Sequence, residues 1–272
     1  MKKAVDLVKD NLKTIDAVIE VRDARIPYAS ANPMLTVLVY PKPRLLVLNK
    51  EDVADPKESK RWIQAYRRKG LVAVTTDGRK PTCLPAILGG LEQLKKQGKK
   101  RRGEAFRLMV VGVPNTGKSS LINRCAGRKA AQTGNKPGLT RGKQWIRLTD
   151  TIHLLDMPGL LQPKLDEDRG RHLAFCASIN DEILDLPSLA LDLLDLLSTT
   201  YPKALMDRYH LTGMPEKPLE IMEAIAVKRA FLLSAGRIDY DRVARTLLKE
   251  FRTGLIGRIS LEKAADYEDD LP

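Results

Sequence analysis

Cysteine, histidine and long apolar runs are scarce in this sequence, and each shortage removes a class of protein. Three cysteines, Cys83, Cys125 and Cys176, are odd in number and lack paired metal-ligand spacing, so neither a disulfide framework nor a zinc centre is supported. Small buried thiols are expected instead. No apolar run reaches 18 residues, which excludes a membrane-spanning helix, and Asp6, Lys9, Asp10 and Lys13 interrupt the segment a signal peptide would need. The expected location is cytoplasmic.

Acidic residues are scarce only locally. Residues 1–180 hold 17 Asp/Glu against 35 Lys/Arg, residues 181–200 five against none, and residues 201–272 twelve of each. A site for one anionic nucleotide does not need such a surplus, so a polyanion such as RNA is the expected partner, with solubility as the plainer alternative. At 272 residues and 43% hydrophobic content, the chain can bury the core of one large or two ordinary domains.

What is present is a phosphate loop. Residues 106–120 pass from an apolar strand pattern into a helical one, with Gly112-x4-Gly117-Lys118-Ser119 between them. Asn115, Thr116, Gly117 and Ser120 line the expected polyphosphate cradle, whose backbone N–H groups and helix N-terminus favour negative charge. Lys118 is expected to reach the terminal phosphates and Ser119 to ligate Mg2+. A hundred residues precede this loop, and among them the apolar run at 44–48 delivers Asn49-Lys50-Glu51-Asp52. A carboxylate at Asp52 can accept from both N1–H and the exocyclic amino group of guanine, which adenine cannot supply. Asn49 is expected to support the O6/N7 side of the base, and Lys50 to lie along it and tie this loop to the phosphate loop.

A third apolar strand pattern, 151–155, ends in Asp156-Met157-Pro158-Gly159. Asp156 is expected to hold a magnesium-bound water while the N–H of Gly159 meets the γ-phosphate. The basic, glycine-containing segment 128–144 includes Thr140, the candidate switch I threonine that completes magnesium coordination. The motifs therefore run base loop, phosphate loop, switch I, switch II, a rotation of the usual GTPase order. An open parallel α/β sheet permits this, because its ligand loops gather at the carboxyl ends of the strands wherever the termini lie.

In this order, and with Asp23-Ala24-Arg25-Ile26-Pro27 after the first strand, the chain resembles the circularly permuted GTPases of the YlqF/RbgA family over nearly its whole length. The resemblance implies an α/β fold, a circularly permuted P-loop GTPase with a doubly wound, mostly parallel sheet over 1–178, followed by a small all-helical RNA-binding domain over 179–265. Residues 266–272 read as an acidic, disordered tail. It also implies a role with GTP/GDP, rRNA and the large ribosomal subunit, as a monomer off the ribosome; a low intrinsic GTPase rate, stimulated by the subunit, is expected with it. Thr75 and Thr76 fall where the second guanine-reading loop is expected; the family usually has Ser-Ala there, and since that contact is a backbone N–H the departure need not abolish binding. Asp23 and Arg25 read equally as a pair serving the nucleotide edge and as a structural salt bridge.

Two basic stretches read either as RNA contacts or as solvated charge: Lys99, Lys100, Arg101 and Arg102 in the linker, and Arg242, Arg245, Lys249 and Arg252 along one helix face. Helices are expected at 2–12, 56–68, 85–97, 181–194, 202–209, 219–233 and 239–252, and strands at 15–21 and 71–74.

Catalysis is where the sequence is thinnest. Many GTPases place a water-orienting glutamine after the switch II glycine; here Leu160 stands there. The resemblance implies a histidine from a Phe-Pro-Gly-His-Met stretch before the first helix, but the chain begins at Met1, where that methionine would align. Either the natural chain starts upstream or the RNA partner positions the water. His153 reads as a packing residue, His172 and His210 as solvated surface histidines. Asn115 matches the position from which related GTPases ligate K+, or is a simple turn asparagine. Two rivals stand beside the GTPase: an inactive GTP-binding RNA scaffold, and a P-loop ATPase or small-molecule kinase.

Overall fold

The computed structural model describes residues 2–97, 105–127, 144–162 and 165–271. Lys99, Lys100, Arg101 and Arg102 of the linker and Thr140 of switch I lie outside the described residues.

In chain order the elements are α1 (Lys2–Leu12), β1 (Ala17–Asp23), α2 (Pro33–Val39), β2 (Arg44–Asn49), α3 (Pro56–Arg68), β3 (Val72–Thr76), α4 (Cys83–Gln97), β4 (Phe106–Val111), α5 (Lys118–Cys125), β5 (Gln144–Thr149), β6 (Ile152–Asp156), α6 (Glu167–Phe175), α7 (Leu186–Thr200), α8 (Pro202–Tyr209), α9 (Pro218–Lys228) and α10 (Tyr240–Thr253). The six strands form one sheet in the order β3-β2-β1-β4-β6-β5, parallel throughout except for β5 against β6.

Parallel strands covered on both faces read as continuous apolar runs, which is why Leu45–Leu48 and Leu108–Val111 carried no alternation. Successive side chains nevertheless enter different layers. Ile19, Val21, Leu45, Val47, Leu108 and Val110 meet Ile87 and Leu91 of α4 and Leu121 and Ile122 of α5. Val18, Met109 and Val111 meet Val8 of α1 and Leu35 and Val39 of α2 on the opposite face. There Leu46 and Leu48 pack on Trp62, Ala65 and Tyr66 of α3. The helices α7, α9 and α10 bury Leu193, Leu197, Ile221, Ile225, Val243 and Leu247 in a further cluster, each such side chain worth about 1.5–3 kcal/mol. That cluster also contains Ile26, Ala29 and Val113, so apolar packing is continuous between the helices and the phosphate-loop side of the sheet. No helix among the described residues is long and apolar enough to cross a membrane.

Local chemistry explains the helix limits. Asp55 caps α3 by accepting from the Lys57 N–H, with Pro56 at the first helical position, and Asp239 caps α10 through the Arg242 N–H. Pro187 begins α7 rather than breaking it. The helix expected over 219–233 stops at Lys228, because Ala230 adopts φ 52° and the Phe231 N–H bonds back to the Ala226 carbonyl, closing a Schellman turn. Neither α2 nor β5 had a sequence expectation. α2 starts at an Asn-Pro pair, its cap Asn32 accepting from Met34 and Leu35 N–H, and β5 is an edge strand with Ile146 buried and Trp145 exposed.

The expectation of a disordered acidic tail is corrected. A short helical turn, Ala264–Tyr267, packs on α3: the Tyr267 ring lies 4.4 Å from that of Tyr28 and 5.9 Å from that of Trp62, and Leu271 is buried. Apolar and aromatic anchors hold a segment whose charges, Asp266, Asp269 and Asp270, remain exposed. Trp62 is fully buried and its Nε1–H donates to the Glu262 carbonyl at 3.2 Å. Trp62→Ala is expected to cost about 3–5 kcal/mol in denaturant unfolding and to expose the 264–271 segment to proteolysis. A loss below about 1 kcal/mol would contradict this packing.

Candidate nucleotide site

Parallel register brings the ends of three strands into one row, with Asp23 of β1 opposite Asn49 of β2, and Asn49 opposite Thr76 of β3. The middle residue joins three loops. The Asn49 amide nitrogen donates to the Thr116 carbonyl in the phosphate loop at 2.8 Å, and its oxygen accepts from Thr76 Oγ1 at 3.1 Å and from the Gly78 N–H at 2.9 Å. Asn49 is buried, and both ends of its amide serve these loops. Asn49 thus holds the base and phosphate loops in register, a role beyond its expected support of the base.

The phosphate loop turns sharply into α5 at Gly117, which has φ 87°; a Cβ there would sit 2.4 Å from the Asn49 amide nitrogen, so the position demands glycine on both counts. Lys118 folds back over the loop, its Nζ donating to the carbonyls of Val113 at 3.0 Å and Gly112 at 3.3 Å. Burial pulls its pKa down to about 8, against the pull of Asp156. Thr116 is fully buried and donates to the Val113 carbonyl, Ser119 is half-buried, and Ser120 is exposed. Asn115 adopts φ 59°, and its amide nitrogen donates to the Ala177 carbonyl at 2.6 Å, linking the loop to the turn after α6.

At the end of β6, Asp156 is 1% exposed, and its Oδ1 is buried without a hydrogen-bond partner. Burial pushes its pKa up to about 6, opposed by Lys118, by the Ser119 hydroxyl and by the Met157 N–H. A buried orphan carboxylate oxygen beside a hydroxyl is a donor set suited to a hard cation such as magnesium, which binds through one or two protein oxygens together with phosphates. No cluster of three or more His, Cys, Asp or Glu side chains that could hold a metal occurs among the described residues. Gly159 lies against Pro114 of the phosphate loop. Leu160 is 2% exposed, packed in the cluster with Met109 and Leu155, and its backbone N–H reaches the Gly112 carbonyl. The position of the usual glutamine is therefore a core residue.

The base loop continues from Asn49 through Lys50, at φ 64°, into the turn Glu51–Val53. The Lys50 Nζ pairs with Asp23 Oδ2 at 3.0 Å, and Arg25 clasps the same carboxylate at 2.8 and 2.9 Å. Asp23 and Arg25 are each 1% exposed. Burial alone would raise the Asp23 pKa, but Arg25 and Lys50 outweigh it and hold the group below the carboxylate range. The pair is a buried salt bridge that also fixes Lys50 at the carboxyl end of β1. Asp52, Thr75, Thr76, Asp77 and Lys80 line a cavity of about 400 Å³, with Arg258 from the chain's last segment closing one side. In it Asp52 is paired with Arg79, a partner the sequence reading missed although Arg79 follows Asp77-Gly78 directly.

Elsewhere two readings change. Arg252 leaves the basic stripe: it pairs with Asp181 at 2.7 and 2.8 Å and caps the carbonyls of Ala174 and Phe175 at the end of α6. Arg245 and Lys249 stay exposed, and Arg242 lies 4.6 Å from the Phe231 ring centre. His172 is not a solvated surface group; its Nδ1 is 3.0 Å from Glu262 Oε1, a buried carboxylate that also accepts from the Tyr28 and Ala29 N–H groups. The three cysteines are free and buried, as expected.

Comparison with known proteins follows the same lines. A sequence family described as 50S ribosome-binding GTPase matches residues 107–218. Ribosome biogenesis GTPase A of Priestia megaterium is 39% identical over all of this chain and 97% of its own length. Mitochondrial ribosome-associated GTPase 1 of Mus musculus is 33% identical over 97% of this chain and 88% of its own. The crystal structure of GNP-bound YlqF from T. maritima superposes with a TM-score of 0.67 at 28% identity, covering 96% of this chain and 98% of that one.

Asn49→Ala would leave the Gly78 N–H and the Thr116 carbonyl unpaired in the interior. The expected cost is about 2–4 kcal/mol of stability together with weaker nucleotide binding, read by denaturant unfolding and GDP titration. Unchanged stability and affinity together would remove Asn49 from the centre of the site.

Proposed function

The chain belongs to the ribosome biogenesis GTPase A family, and we propose that within it this protein is an assembly factor for the large ribosomal subunit, docking on rRNA when GTP is bound and released on hydrolysis. It is a GTPase. The observation that carries the rest is the joining of the Asp52 cavity to the phosphate loop through Asn49, in a chain whose first 180 residues are strongly basic. On this reading residues 1–178 are the nucleotide domain and 179–265 the helical RNA-binding domain, with Arg242, Arg245 and Lys249 facing rRNA and the protein a cytoplasmic monomer off the ribosome.

Each site residue has work to do in this cycle. Asp52 exchanges Arg79 for the guanine edge, Lys118 exchanges two loop carbonyls for the terminal phosphates, and Thr75 offers backbone at the base. Ser119 and Asp156 would hold magnesium, with Thr140 the third protein ligand; when bound, the ion neutralises charge developing between the β- and γ-phosphates. Asn115 is the proposed potassium ligand, an idea that equal GTPase rates in potassium and sodium buffers would remove. With Leu160 in the core, the switch II loop supplies no side chain to orient water from that position. The same burial favours a second reading, a slow GTP-binding RNA scaffold.

GTP hydrolysis with and without large ribosomal subunits, at low and high salt, separates the two. Slow intrinsic turnover with strong, salt-sensitive stimulation by the large subunit is expected; GTP-dependent docking without stimulation in single-turnover assays would favour the scaffold, and neither binding nor stimulation would sink both. Asp52→Asn is expected to shift preference from GTP to xanthosine triphosphate, and unaltered GTP selectivity would contradict guanine reading at Asp52.

A further inference from the structure

The turn that presents Asp52 is held from the far end of the chain as well as by its own bonds. Inside it the Val53 N–H donates to the Lys50 carbonyl at 3.1 Å and the Ala54 N–H to the Glu51 carbonyl at 3.3 Å. From the segment after α10, Arg258 donates through Nη2 to the Glu51 carbonyl at 2.7 Å and through Nε to the Ala54 carbonyl at 2.9 Å. Its guanidinium fork spans the two ends of the turn. The Ile259 N–H adds a bond to the Val53 carbonyl at 2.9 Å, and Ser260 Oγ accepts the Asp55 N–H at 3.1 Å. The close approach is built into α10: Gly254 ends that helix at φ 79°, and a Cβ on it would lie 2.6 Å from Val53 Cγ1.

Arg258 also lines the cavity that contains Asp52. Bidentate reading of guanine requires the Asp52 carboxylate to meet N1–H and the exocyclic amino group together, a placement that tolerates only about 0.5 Å of drift. We infer that Arg258 is a positioning residue for guanine recognition, through which the helical C-terminal region sets how strictly the base is read. The inference rests on the guanine reading of Asp52. Coupling of this kind is reciprocal: a nucleotide that fixes the turn also fixes residues 254–260, and a partner that draws those residues away loosens the grip on the base.

The test compares GDP, IDP and ADP affinities of the full chain, of Arg258→Ala and of Arg258→Lys. Inosine lacks the exocyclic amino group, so the GDP-to-IDP affinity ratio reports whether Asp52 accepts both bonds. In Arg258→Ala that ratio is expected to fall by about tenfold, and lysine, which cannot span two carbonyls with a planar fork, is expected to restore only part of it. A general loss of fold would not change the ratio among folded molecules, which a thermal transition counts. An unchanged ratio in a folded Arg258→Ala protein overturns the inference. If the alanine variant does not fold, the lysine variant decides: a lowered ratio supports the role of Arg258 and an unchanged one overturns it. Failure of the unaltered chain to prefer GDP over ADP would instead sink the guanine reading on which the inference stands.

Discussion

Three loops from distant parts of the chain can act on one nucleotide only if something sets their spacing, and here that constraint is the buried amide of Asn49. Backbone register delivers Asp23, Asn49 and Thr76 to the same edge of the sheet, but register alone leaves the loops beyond those residues undetermined. The amide removes that freedom by donating to the phosphate loop and accepting from the loop after β3. A buried amide must satisfy both ends or lose their hydration without return, so the site is specified as a unit. The glycine at 117 exists to let that amide come close.

Charge organises the next layer outwards. Buried Asp23 and Arg25 and half-buried Lys50 form a charged group at the carboxyl end of β1, and Arg25 extends it to the helical region by lying 5.1 Å from the Phe251 ring centre. Burying such charges is costly unless each is paired, and the Arg25–Asp23 bonds meet that condition. Arg252, Glu262 and Arg258 repeat the pattern in reverse, each carrying a polar group from the C-terminal region into backbone carbonyls or N–H groups of the nucleotide region. The interface thus combines buried polar contacts with apolar packing around Ile26, Val113 and Phe175. Such an arrangement can hold two regions together while letting either respond to what the other binds.

Hydrolysis depends on a different balance. Leu160 contributes stability by packing beside Met109 and Leu155, and in doing so gives up the place from which a glutamine would orient water. Asp156 and Lys118 are both buried and interact electrostatically, each shifted toward its neutral form by burial. Phosphates beside Lys118 and magnesium beside Asp156 would favour the charged form of each group, so both shifts suit this pair to a nucleotide and its cation.

Motifs whose chemistry is local were legible in the residues: the phosphate loop with Lys118 and Ser119, the Asp52 loop, Asp156-Met157-Pro158-Gly159, the apolar strands and the helices capped by Asp55 and Asp239. Their spacing follows from bond geometry and from the period of strand or helix, which a linear string carries. The loop order around the sheet was legible for the same reason. Roles that depend on which neighbour arrives were not. The hold of Asn49 on Thr116 and Gly78 was not foreseen, because those partners lie 67 and 29 positions away. Arg252 looked like part of a basic stripe until Asp181 met it, and the acidic tail looked disordered until Tyr267 found Tyr28. Sequence by itself determined the nucleotide chemistry and the sheet that displays it, because both rest on local pattern. Only the tertiary structure decided which polar side chains are spent on holding the loops, since a hydrogen bond between distant residues is settled by packing and leaves no period in the chain.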